Sequence, residues 1–337
     1  MATFSILHVM TILTPTFFVL ALGYAAGRYH LFDGEKSKGV TELVLDFALP
    51  AALFIGVVTF PHQELLQATP LFQAFFLVFL PTYILVFFVT RCIFHQTIGA
   101  SSIAALLVTF PSTSFFGASV VGGLFGTSSG ISISISVIIA VGIFVPLSIV
   151  LLETSTRTHI GDRGKQQDSR DYSRNSTYLK RSELALVIGR SVVKALKQPI
   201  VWAPLSALLI SLLGVRVPEV AISSLNLIGS ATSGVGIFVA GLALAVHRIK
   251  LNRIVIFNVL LKSLVQPTLM IGIISMLGVK GIFANEAVIL CVLPSAVLPV
   301  LLAIRYRMYE SEASSTLILT SVSVIGTVPL YVWLIGA

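Results

Sequence analysis

Ten runs of about 20 predominantly apolar residues punctuate the chain, and each is close to the length that a helix needs to cross a hydrocarbon core about 30 Å thick. They fall near residues 6 to 27, 39 to 59, 70 to 91, 99 to 125, 131 to 152, 199 to 214, 221 to 246, 254 to 278, 286 to 304 and 314 to 335. The runs lack the alternation of a barrel strand, which favours helices. A soluble domain has about a quarter of its residues charged, whereas this chain has 11%, too few to face water all round. A globular cytosolic enzyme, a disulfide-built secreted module and a nucleic-acid binder are thereby excluded. The fold class expected is all-α integral membrane, with ten transmembrane helices.

The basic residues supply the orientation. With the N-terminus outside, nineteen of the 22 Lys and Arg fall in cytoplasmic loops, and only Arg216 and Lys280 fall outside. This is the asymmetry of a multi-pass protein of the inner (plasma) membrane with both termini outside and the central loop cytoplasmic. It also accounts for a net charge of +8 without nucleic acid as a partner. The stretch from Met1 to Thr16 has no basic region ahead of its apolar run and reads as a retained first span.

A polar segment from Glu153 to Lys180 divides the chain near its middle and reads as a flexible linker. The organisation expected is a first five-helix repeat over 1–152, a cytoplasmic linker over 153–182, and a second five-helix repeat over 183–337. The last begins with an amphipathic helix from Glu183 to Lys197 on the inner leaflet. Because five is odd, the second half enters the membrane from the opposite face, the arithmetic of an inverted repeat.

The fourth run of each half carries the candidate site. The first reads LLVTFPSTSFFGASVVGG, with Pro111, Ser112, Thr113 and Ser114; the second reads AVILCVLPSAVLPVLLAIRYR, with Pro294, Ser295 and Pro299. Proline removes a backbone donor and clashes with the preceding turn, so the fourth and ninth helices should be broken near their middles. Broken helices in corresponding positions of two halves point to a transporter's binding site, where freed N–H groups and hydroxyls receive an anion.

Charges inside the membrane come next. Asp46 lies about 10 Å into its span, with Glu42 one turn below on the same face. An acid at such depth suits a coupling ion, proton or sodium; a structural ion pair is the alternative. Lys262 forms a polar stripe with Asn258 and Gln266 at four-residue spacing. It reads either as a fixed positive charge for a carboxylate substrate or as a salt bridge to Asp46 or Glu42.

The histidines show no metal-ligand spacing and no P-loop is present, so neither metal nor cofactor is expected. An intramembrane enzyme would need a nucleophile with its base, and no such set occurs. A non-transporting membrane sensor or scaffold, with its information in the linker, is the alternative function.

Four stretches, ELVLDFALPAALF, LKQPIVWAPLSALLISLLGVRVPEV, NLIGSATSGVGIFVAGLALAVHR and LPSAVLPVLLAIRYRMY, resemble the auxin efflux carrier family, in its bacterial branch often described as malonate transporters. The resemblance covers nearly the whole chain except the linker. It implies a secondary transporter built from two inverted five-helix repeats, with crossed, interrupted fourth and ninth helices at a midplane site. It also implies a scaffold part, a transport part and a homodimer. Pro111 and Pro294 match the two crossing prolines, Lys262 the lysine of the eighth helix, and Gly241 the glycine of a GLALA turn. Ser112 and Asp46 depart from the family's usual Asn. The expected function is alternating-access transport of a small organic anion, a malonate-like mono- or dicarboxylate, driven by an ion gradient.

Overall fold

A computed structural model describes residues 6–32, 34–59, 69–113, 117, 120–125, 130–167, 190, 193, 196–246 and 249–336. These residues are helical, with no strand among them and a single isolated bridge between Pro111 and Ser295. In chain order the helices are α1 (Ile6–Arg28), α2 (Gly34–Leu43), α3 (Leu49–Val58), α4 (Thr69–Phe88), α5 (Ile98–Thr109) and the short α6 (Gly122–Phe125). Then come α7 (Gly130–Ile139), α8 (Val145–Gln167), α9 (Pro199–Leu212), α10 (Glu219–Gly229) and α11 (Ala231–Val246). The last are α12 (Arg253–Leu260), α13 (Gln266–Leu277), α14 (Ile282–Val292), α15 (Leu298–Tyr306) and α16 (Glu310–Ile335).

Six helical stretches among the described residues are long and apolar enough to cross a membrane, and four shorter apolar helices accompany them. Two of the shorter ones, α5 and α14, are short because each stops at a proline. Large apolar side chains such as Leu227, Met276 and Trp333 are exposed on the outer faces, which suits a surface bathed in hydrocarbon. The chain is thus an integral membrane protein of α-helical class.

Other mid-span prolines do not break their helices, and wide π turns explain several of them. Val44–Ala48 precedes α3, Ala140–Phe144 precedes α8, and Leu261–Val265 precedes α13. In each case the second residue of the following helix is a proline: Pro50, Pro146 and Pro267. Proline has no N–H and its ring crowds the carbonyl four residues back. Widening the preceding turn shifts that carbonyl aside, so the helix bends and continues. Asp46 and Lys262 both sit inside such turns.

The helices pack as two groups. One holds α1, α2, α3, α9, α10 and α11; the other holds α4, α5, α7, α8 and α12 to α16. Hydrocarbon gives no hydrophobic drive for helix association, so the first group relies on close backbone approach. A Cβ on Gly23 would lie 2.1 Å from the Phe238 carbonyl oxygen, and one on Gly241 would lie 2.2 Å from that of Leu20. Gly241 is therefore not at a turn, as the family likeness suggests. It lies inside α11, where only a hydrogen fits against α1. In the second group Phe75 packs on Phe79 within α4, and Phe79 meets Phe144 edge-on, all three fully buried.

The linker expected to begin at Glu153 starts later. α8 continues through Gln167, and at Glu153 it is still packed in the bundle: Glu153 accepts hydrogen bonds from Tyr306 at 2.8 Å and Gln198 at 3.3 Å. The rest of the linker and most of the expected amphipathic helix lie outside the described residues.

Candidate functional site

Both proline breaks have one local cause. The residue before a proline is pushed out of helical geometry into the extended region. Phe110 adopts φ −91, ψ 107 and Leu293 adopts φ −56, ψ 150, so α5 and α14 each end two residues before their proline. The two extended tips then meet. Ser112 N–H donates to the Pro294 carbonyl at 2.8 Å and Ala296 N–H donates to the Phe110 carbonyl at 2.9 Å. Pro111 and Ser295 face each other between these bonds, at the position of an antiparallel ladder where the facing residues exchange no hydrogen bonds. A proline's missing N–H costs nothing there. Pro299 is equally well placed, in the first turn of α15, where an N–H has no helical partner anyway. Thr113 is held by its own N–H, donated to the Pro111 carbonyl at 2.8 Å, whereas Ser114 lies outside the described residues.

Beside this crossing lies a cavity of about 350 Å³. The crossing forms one wall, from Phe110 to Thr113 and from Ala296 to Leu298, and α3 with the α10–α11 junction forms the opposite wall. The lining is mostly apolar. Its polar members are Ser112, Thr113, Ser134, Asn226, Ser230 and Thr232. Two of these, Thr113 Oγ1 and Thr232 Oγ1, are buried with no hydrogen-bond partner among the described residues. They stand on opposite helix groups, so each side of the cavity has a lining residue whose hydroxyl is unmet. Buried polar groups are almost always satisfied, and an unmet pair in one cavity marks a place for a guest.

Lys262, Asn258 and Gln266 do not line the cavity; Gln266, with Lys262 bonded to it, supports the crossing from behind. All three are fully buried. Lys262 Nζ donates to Gln266 Oε1 at 2.6 Å, and Gln266 Nε2 donates to the Thr109 carbonyl at 3.1 Å. Thr109 is the last residue of α5, and the final carbonyls of a broken helix have no donor of their own. Gln266 supplies that donor, while the ammonium behind it sits at the negative end of the half-helix. Asn258 Nδ2 donates to the Tyr309 hydroxyl at 3.1 Å, and burial holds that hydroxyl above its ordinary pKa. Ser295, fully buried, takes the Thr320 hydroxyl as acceptor for its N–H at 3.2 Å.

Asp46 and Glu42 are not at the crossing, and neither pairs with Lys262. Arg305 Nη1 donates to Asp46 Oδ1 at 2.6 Å, and Glu42 faces Lys38 one turn away at 3.7 Å. Arg305 lies in the last turn of α15, so the Asp46 pair connects the helix following the second break to the π turn of the other group. Residues missed by the sequence reading include Asn226 and Thr232. The polar run SATSG from Ser230 to Gly234, inside an otherwise apolar span, was a signal available to find them.

Comparison with known proteins places the chain among transporters. A family described as membrane transport protein matches residues 8–332. The transporter YfdV of Escherichia coli (strain K12) is 28% identical over 325 residues, covering 95% of this chain and 96% of its own. Auxin efflux carrier component 8 of Arabidopsis thaliana is 22% identical over 365 residues, covering 98% of each chain.

Proposed function

Because the chain belongs to this family of membrane transport proteins, the auxin efflux carrier family, we propose that it is a secondary transporter of a small organic anion working by alternating access. The observation that carries the reading is the pair of unmet hydroxyls of Thr113 and Thr232, on residues that line one cavity from two helix groups. A guest bound to both would be handed from one side of the membrane to the other as the groups shift.

A carboxylate suits this cavity. It accepts hydrogen bonds from hydroxyls and from N–H groups at the start of α15, which carries partial positive charge. Ser112, Thr113 and Ser114 would serve the same end after Pro111. The apolar majority of the lining favours a mono- or dicarboxylate with a small organic body, and malonate is the reference probe. Lys262 would act from a distance, its field reaching the site through the crossing that Gln266 supports. Asp46, held by Arg305, would tie the two groups together in one state and release in another.

The wider architecture in this reading is ten spans in two inverted five-helix repeats, over 1–152 and 183–337. Both termini lie outside, the protein sits in the inner membrane, and two copies associate as a homodimer. Among the described residues, six long apolar helices and four shorter ones support that reading. A proton or sodium gradient would drive accumulation.

Uptake of labelled carboxylates into proteoliposomes, with and without pH and sodium gradients, tests the reading. Saturable malonate uptake that a gradient enhances supports it. No saturable flux of any carboxylate in a panel would remove the anion assignment.

A further inference from the structure

Glu286 was passed over in the sequence because it stands at the first residue of an apolar run. In the structure it lies inside α14, one turn past the exposed Ile282, and has no exposed surface. The Ser132 hydroxyl of α7 donates to Glu286 Oε2. Glu286 Oε1 has no partner among the described residues, and no cation there stands within ion-pair distance. The elements packed on α14 are α4, α7, α13, α16 and the π turn Leu261–Val265. Their titratable groups are Tyr83, Lys262, Tyr331, and Glu310 with Glu312 at the far end of α16, while Cys291 is on α14 itself. α7 and α13 bring none.

We infer that Glu286 is the site that takes up and releases the coupling proton, an inference that rests on the transport reading above. Two features support it. The first is position: the carboxyl lies about 6 Å of helix from the α13–α14 turn and about 12 Å before Pro294, between an aqueous edge and the crossing. The second is charge balance. Lys262 and Glu286 are both fully buried in the second helix group, and their formal charges cancel when the cavity is empty. A bound monoanion, either a monocarboxylate or malonate carrying one proton of its own, adds one negative charge. A proton joining Glu286 Oε1, to form a neutral acid, restores the balance, so the loaded group moves without net charge. Release of the substrate and loss of that proton return it to the start. A metal cation would ask for several more oxygens than Glu286 and Ser132 offer.

Two experiments on the full-length protein test this. The first uses infrared titration of purified protein without substrate. The wild type should show the carbonyl band of a buried carboxylic acid whose intensity changes with pH, and Glu286→Gln should lack it. Ser132→Ala removes a donor to the ionised form and should move the midpoint upward by about one pH unit. The second uses proteoliposomes and malonate. A pH gradient should drive accumulation in the wild type, and Glu286→Gln should lower that about tenfold, roughly one factor of 1.4 kcal/mol, while malonate counterflow persists. An identical infrared titration in Glu286→Gln overturns the proposal, as does accumulation driven by sodium and indifferent to pH. If the wild type moves no malonate, the substrate assignment fails, and the infrared titration still decides the role of Glu286. If Glu286→Gln does not fold, the Ser132→Ala midpoint decides it, and an unmoved midpoint counts against the proposal.

Discussion

Arg305 and Asp46, which lie 259 positions apart in the chain, meet at 2.6 Å and join the two helix groups. Each side chain is 28% exposed, so the pair is neither a buried charge nor a freely solvated one. Partly exposed pairs contribute about 1 kcal/mol at most, too little to hold the fold but enough to shift a two-state balance about fivefold.

Asp46→Asn should therefore lower the melting temperature by only a few degrees while changing the transport rate about fivefold, in either direction. The double exchange Asp46→Arg with Arg305→Asp should restore the wild-type rate. Paired melting curves and flux measurements check both. A double exchange no better than the single variants would mean that the pair does not govern the balance.

Lys262→Met should cut transport about tenfold or more and lower stability by about 1 kcal/mol, since removing the buried charge leaves only Gln266 Oε1 without its donor. Gln266→Leu should be worse for the fold, by about 1–3 kcal/mol, because it strands both the Lys262 ammonium and the Thr109 carbonyl. Thermal unfolding in detergent separates the two effects.

Thr113→Val and Thr232→Val keep side-chain shape and remove hydroxyls that have no protein partner. Stability should hold or rise by about 1 kcal/mol, since an unmet buried hydroxyl is a burden. Malonate affinity should fall about five- to tenfold for each, in line with one hydrogen bond. Unchanged affinity in both variants would move the guest elsewhere.

How far the sequence foretells the structure depends on how local each cause is. The breaks at Pro111 and Pro294 were legible, because a proline constrains its own residue and the one before it. The spans through Pro50, Pro146 and Pro267 were expected to continue, but the π turns that let them do so were not legible, because a π turn changes one hydrogen-bond step without disturbing the apolar pattern. Lys262 was visible as a buried charge, but its action through Gln266 on the end of α5 needs a partner 157 positions away. Glu286 was hidden by its place at the margin of an apolar run. The far wall of the cavity was written as a polar stretch in the seventh run, and its meaning emerged only once α10 and α11 faced the crossing.

Gly241→Ala should prevent stable assembly of α1 with α11, since the added carbon would overlap the Leu20 carbonyl at 2.2 Å. The backbone must part by more than 1 Å to admit it, and overpacking of that kind costs about 1–3 kcal/mol or more. Yield of folded protein and its melting temperature report the loss, and Gly39→Ala, where no atom lies within 4 Å, is the matched control.

The same glycine seam limits how the molecule can work. Two rods whose main chains touch have no compliant layer between them, so α1 and α11 must travel together as one girder. Any rocking that exposes the cargo first to one compartment and then to the other is thereby confined to the opposite border, where hydroxyls, the Arg305–Asp46 pair and the cavity provide a surface that can slip.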